Sequence, residues 1–185
     1  MRVFFMAIYC LIFALYTAPL LAADHSINSK IQQINANVIF MRHALAPGYG
    51  DPKNFDINDC STQRNLNDAG LAQAAQIGAY FRKNNLAPDH IFTSRWCRCK
   101  DTAAALNLGK WSSHEGLNSF FQGYVDRTDT LAQLKALLNN LDEKKIVLMV
   151  THQVTIQAIT GMSVPSGGIV LYNSQTQQGL KFNPQ

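Results

Sequence analysis

A chain of 185 residues with 47% apolar and 15% charged residues is long enough for one domain with a sizeable core and too apolar to be disordered. The formal net charge of +4 comes with sixteen Lys and Arg residues scattered along the chain, with no basic run that would form a nucleic-acid surface.

The N-terminus stands apart from the rest. Met1-Arg2 is cationic, residues 3–16 are almost unbroken apolar, and Ala22 and Ala23 supply small residues for cleavage. This is the pattern of a secretory signal peptide. The apolar stretch is short for a membrane span of ~20 residues, and no small-residue lipobox precedes Cys10. The expectation is a signal peptide at 1–23, a domain at 24–185, a periplasmic or secreted product and no stable membrane anchor after cleavage. Export matters for the cysteines, because disulfides persist in oxidising compartments. The mature chain keeps Cys60, Cys97 and Cys99; an odd count permits at most one internal bridge, and Cys60–Cys97, Cys60–Cys99 and no bridge all remain open. A Cys-x-Cys pair without a second Cys/His pair makes no zinc pattern, so no metal and no other cofactor is expected.

Residues 24–36 are polar and form a leader or a short helix. The run 38–41 is the first strand. Residues 44–60, with Pro47-Gly48 and Gly50-Asp51-Pro52, form a long loop of the sort that often carries function. Asn67 or Asp68 caps a helix that reaches about Asn84, its apolar face built from Leu71, Ala74, Ala75, Ile77, Gly78 and Phe81. Pro88 ends that stretch, residues 90–93 give a short strand, and 96–106 read as helix. Residues 111–124 are irregular. A helix from Asp129 or Thr130 to Leu141, a strand over 146–150, a helix over 154–160 and a closing strand over 169–172 complete the chain. Strands alternating with helices predict a mostly parallel sheet covered on both faces, a three-layer α/β/α sandwich.

Three of these strands end on chemistry. The first runs into Arg42-His43, the second into Arg95 and Arg98, and the third into Thr151-His152. Ligands in open α/β sheets sit outside the carboxyl ends of the strands, so these groups are expected to converge on one anion site. Arg offers a planar fork that matches phosphate oxygens, which makes Arg42 and Arg98 a candidate clamp. A histidine can attack phosphorus and form a covalent intermediate; His43 is the candidate nucleophile and His152 a donor to the phosphoryl oxygens. Arg64, at the end of the long loop, adds a third positive charge or only pairs with a nearby Asp. Tyr49 and Phe120-Phe121 wall the pocket or belong to the core.

These residues also resemble a family. Met41-Arg42-His43-Ala44 is similar to the Arg-His-Gly signature of the histidine phosphatase superfamily, the phosphoglycerate mutase-like proteins. Ser94-Arg95-Trp96-Cys97-Arg98-Cys99-Lys100-Asp101-Thr102-Ala103 resembles its Ser-Pro-x-x-Arg-Ala-x-Gln-Thr-Ala segment and puts the second clamp on Arg98. Val150-Thr151-His152-Gln153 resembles the late Ser-His-Gly strand end. Asn65-Leu66, Gly70 and Gln73-Ala74 resemble the Leu-Thr-x-x-Gly-x-x-Gln-Ala helix start. The resemblance implies a phosphoglycerate mutase-like fold and metal-independent phosphomonoester hydrolysis through phosphohistidine on His43, with Arg42, Arg98 and His152 around the phosphate. Its small exported bacterial branch adds a phosphorylated small molecule or an envelope sugar phosphate as substrate.

Two positions depart from the family pattern. Gln153 follows His152 where the acid phosphatase branch has Asp, and Ser119 follows Leu117-Asn118 where the mutase-like branch has Glu. Glu115 is the nearest carboxyl group in that segment and the expected general acid, with Asp126 and Asp51 behind it. The alternative is a non-catalytic phosphate-binding or sensing protein of the same fold with a degraded acid. A thiol redox protein using Cys97 and Cys99 would lack the usual Cys-x-x-Cys spacing.

Overall fold

Alternate residues of the apolar runs face opposite ways, so each run buries both faces and forms an interior strand. The computed structural model describes residues 26–184; the expected signal peptide lies outside them. In chain order the elements are α1 (Ile27–Ile34), β1 (Val38–Arg42), α2 (Asp68–Lys83), β2 (His90–Thr93), α3 (Cys97–Leu106), β3 (Ser112–Ser113), α4 (Arg127–Asn139), β4 (Val147–Thr151), α5 (Gln153–Thr160), β5 (Ile169–Tyr172) and β6 (Gly179–Phe182), with single 3₁₀ turns at Cys60–Thr62 and Glu115–Leu117. The sheet order is β3-β2-β4-β1-β5-β6. β1, β2, β3 and β4 pair in parallel, and β5 and β6 add two antiparallel ladders at one side.

The two faces are separate cores. Ile39, Met41, Leu148, Val150, Ile169 and Leu171 pack against α1, α2 and α3 through Ile27, Ile77, Phe81, Cys99, Ala103 and Leu106. Their strand neighbours Val38, Phe40, Val147, Met149, Val170 and Tyr172 pack against α4 and α5 through Leu134, Leu138 and Ile156. The fold is the three-layer α/β/α sandwich with a mostly parallel central sheet that the alternation predicts.

Helix boundaries follow their caps. The Asn67 side chain accepts from the Gly70 N–H at 2.9 Å and starts α2. Asp126 starts α4 in the same way, accepting from Asp129 N–H at 2.9 Å, two residues ahead of the expected start. Gly78 lets α2 lie on α3, since a Cβ there would overlap the Leu106 carbonyl oxygen. β6 was not anticipated: it is a half-exposed edge strand with only Leu180 and Phe182 as apolar residues. Among the described residues, no helix is long and apolar enough to cross a membrane.

Candidate active site

The sheet order brings the ends of β1 and β4 side by side. Arg42 is in register with Thr151, and the His43 N–H donates to the Thr151 carbonyl at 2.9 Å. β2 flanks β4, its exit fixed by Ser94 N–H donating to the Val150 carbonyl at 2.9 Å. His43 and His152 thereby meet edge to face, with ring centroids 5.4 Å apart. Both line a cleft of about 430 Å³, together with Arg42, Arg64, Arg98, Ser119, Gln153 and Ser166.

His43 is 3% exposed, and its Nδ1 lies 2.7 Å from the Ala44 carbonyl oxygen. A carbonyl only accepts, so Nδ1 carries the proton and Nε2 keeps its lone pair. Burial, followed by the positive charge of Arg98, lowers the His43 pKa to about 3, with Arg42 and Arg64 adding to the effect. His152 is likewise held well below its ordinary value by burial and then by Arg98. Its Nε2 is 2.9 Å from the Ser94 hydroxyl and 3.4 Å from the Cys99 sulfur. Two neutral imidazoles therefore sit among cations at neutral pH, the state that a nucleophilic nitrogen requires.

The cations are fixed by backbone. Arg42 donates to the Val164 carbonyl at 3.1 Å. Arg64 donates to the carbonyls of Gly50, at 2.9 Å, and Ala46. Arg98 forms a buried pair with Asp51, at 2.7 Å from Nη1 to Oδ1 and 3.2 Å from Nη2 to Oδ2, both side chains 4% exposed. Asp51 also accepts from Trp96 Nε1–H and from Arg64 N–H, each at 3.0 Å. Burial opposes its charge, but the Arg98 hydrogen bonds and charge, with these two N–H groups, outweigh it and hold the carboxyl below its usual range. Three guanidiniums against one carboxylate leave a surplus of two positive charges, which matches a phosphate dianion. Nε of Arg42, Nε of Arg98 and Nε2 of Gln153 are buried without a hydrogen-bond partner. A buried donor left unpaired costs roughly 1–3 kcal/mol.

Arg42, His43, Arg64, Arg98 and His152 are thus brought together. Glu115 is not. Its carboxylate is 3.1 Å from Arg95 with 57% of its side chain exposed, beside depressions that it shares with Asn118 and Asp126. Side chains three apart on a 3₁₀ turn eclipse, and Asn118 is held by the Arg95 N–H at 2.9 Å, so Glu115 points to the Arg95 side. Asp126 caps α4. Among the described residues, no carboxyl group lines the cleft. Asp51 and Gln153 act differently from the sequence reading, as the anchor of Arg98 and as a cleft-lining amide whose Oε1 accepts from the Val164 N–H at 3.0 Å. Gln153 directly follows His152 as the first residue of α5, and that position was the available signal.

Cys60 and Cys97 form a disulfide, Cα atoms 5.7 Å apart, which closes the alternatives left open by the sequence. It ties the long loop to the first turn of α3, one residue before Arg98. Cys99 is a free, buried thiol whose pKa is pushed up to about 12, mainly by burial.

A mostly parallel sheet whose adjoining strand ends present two neutral imidazoles inside an arginine clamp is the frame of a phosphatase. The sequence model of the histidine phosphatase superfamily (branch 1) matches residues 38–132, over half of the chain, and the chain belongs to that family. No curated protein sequence matches it. Among solved structures, a SixA protein from Agrobacterium tumefaciens superposes with a TM-score of 0.51 at 24% identity, covering 74% of this chain and 92% of that one. The protein histidine phosphatase SixA complexed with tungstate gives 0.52 at 19%, covering 78% and 93%. A mycobacterial glucosyl-3-phosphoglycerate phosphatase gives 0.55 at 14%, covering 79% and 96%. At these identities the likeness concerns the fold.

Proposed function

We propose that the protein is an exported phosphatase that hydrolyses phosphomonoesters and related phosphoryl compounds through a phosphohistidine on His43, without a metal ion. The observation that carries this reading is the His43 Nδ1–H bond to the Ala44 carbonyl, which aims an unprotonated Nε2 into an arginine-lined cleft. Nε2 attacks phosphorus, the P–N bond forms, and the bond to the leaving group breaks with its electron pair. Arg42, Arg64, Arg98 and Gln153 hold the equatorial oxygens, and His152 donates to them as charge shifts. Water then attacks phosphorus, the P–N bond breaks with its electron pair returning to His43 Nε2, and the water's protons leave with the phosphate.

The acid is the unusual part. A general acid typically contributes ~10²–10⁴-fold in rate, and among the described residues no carboxyl group lines this cleft. Substrates whose leaving group departs as a stable anion or neutral ring are favoured over sugar alcohols. The SixA structure named for protein histidine phosphatase activity is consistent with such a substrate. Export is supported by the signal-like sequence at 1–23 and by the Cys60–Cys97 disulfide, since such bonds are rare in reducing compartments; N-terminal sequencing of protein recovered outside the cytoplasm tests it.

The test is hydrolysis of an aryl phosphate and an alkyl phosphate in the presence of a chelator, with a denaturing alkaline quench to trap labelled protein. The expected result is fast aryl turnover, slow alkyl turnover, base-stable and acid-labile labelling, and loss of all three in His43→Ala. Missing carboxyl groups favour one second reading, a phosphate sensor. Phosphate binding with no turnover of either ester, and no label, would establish that reading instead.

A further inference from the structure

The cleft mouth is apolar and aromatic in a way the phosphate clamp does not use. Among the described residues, five large apolar side chains are exposed, and three of them, Leu45 (41%), Tyr49 (88%) and Phe121 (46%), line this cleft. Tyr49 and Phe121 meet edge to face, ring centroids 5.3 Å apart and planes at 90°. Such a pair presents an open ring face beside a ring edge, the arrangement that a third aromatic ring packs against.

The rim is built rather than loose. Tyr49 stands between Gly48 at φ +90° and Gly50 at φ +68°, backbone that a side chain rarely adopts, and the turn throws its ring outward. Gln122 ties the two loops: its Oε1 accepts from Asp51 N–H at 2.5 Å, and its Nε2 donates to the Asp51 carbonyl at 3.1 Å. The same loop carries Asp51, the anchor of Arg98. Phe120 turns away, under the Arg127 guanidinium at 5.6 Å.

We infer that Tyr49 and Phe121 form a leaving-group subsite, and that the substrates are compounds in which an aromatic ring carries the phosphoryl group. This rests on the phosphatase reading for its chemistry, and two independent features agree with it. The rim offers ring contacts, and a cleft without a carboxyl group needs a leaving group that departs without a strong acid, as a phenolate or an imidazole does.

Binding of phosphonates separates the subsite from catalysis. By titration calorimetry, the full mature protein binds phenylphosphonate at least roughly tenfold more tightly than methylphosphonate, the scale set by one aromatic stack. The ratio falls towards one in Tyr49→Ala and in Phe121→Ala and is kept in Tyr49→Phe. A wild-type ratio near one, a ratio unmoved by either alanine, or tighter binding of glucose 6-phosphate than of phenylphosphonate would overturn the inference. If phenylphosphonate is preferred while phenyl phosphate and acetyl phosphate are both left intact, the subsite stands and the phosphatase reading falls. Comparing turnover of O-phosphotyrosine with that of N-phosphoimidazole tells which ring the subsite prefers.

Discussion

Replacing Asp51 by Asn removes one negative charge from the centre of the arginine cluster. Asp51 accepts two hydrogen bonds from Arg98, one from Trp96 and one from the Arg64 backbone, and the side chains of the Arg98 pair are each 4% exposed. An asparagine keeps one acceptor oxygen and turns an NH₂ group towards donors that then have no acceptor. Breaking a buried pair by removing one partner costs about 3–5 kcal/mol, and each kcal/mol lowers Tm by ~2–4 °C in a domain of this size. The expected loss in calorimetric Tm is therefore roughly 6–20 °C. Phosphate or tungstate would restore more of it in the variant than it adds to wild type, because a dianion supplies the missing charge and stabilises by mass action. A loss below about 1 kcal/mol, or equal stabilisation of both proteins by phosphate, would refute the assignment of Asp51 as the anchor of Arg98.

Acid stability follows from the two imidazoles. His43, with its pKa lowered to about 3, and His152, also lowered, exclude protons that the unfolded chain binds below ~6.5. Stability is then full above that pH and falls as pH drops towards 3, by up to about 1.4 kcal/mol per unit for each histidine; urea midpoints at pH 7.5, 6 and 5 measure it, and His43→Gln halves the slope. Cys60→Ser with Cys97→Ser opens a bridge across a sequence separation of 37, for an expected loss of ~3–4 kcal/mol with weaker phosphate binding through Arg98; an unchanged urea midpoint would contradict this. In the native wild type, Cys99 resists thiol reagents until urea unfolds the chain. Gly78→Ala forces α2 away from the Leu106 carbonyl, with an expected destabilisation of ~1–3 kcal/mol seen in the same urea titration.

Much of this architecture was legible because the relevant signals are local. Asn67 announces its helix through a side chain that satisfies a free N–H, and β1 and β4 announce themselves as apolar runs ending in histidine. The positions that misled depend on geometry at longer range. Glu115 is four residues from Ser119, which lines the cleft, yet a single 3₁₀ turn puts it beside Arg95. Choosing between Cys97 and Cys99 for the bridge needed the direction of each side chain on α3. Asp51 sits in a loop with no periodic pattern, so its pairing with Arg98 had no signature, and β6 has too few apolar residues to alternate visibly.

The position of β1 in the sheet also sets the order in which the protein can be made. Its two partners, β4 and β5, come more than a hundred residues later in the chain. Contacts of such separation slow folding. Arg42 and His43 emerge early in synthesis, whereas the strands that orient them are among the last segments to appear. Until then Val38–Arg42 is an unpaired apolar strand, a segment prone to intermolecular pairing. A nascent chain therefore carries Arg42 and His43 before the cleft around them exists, and the cleft closes up only when the final third of the sequence has docked.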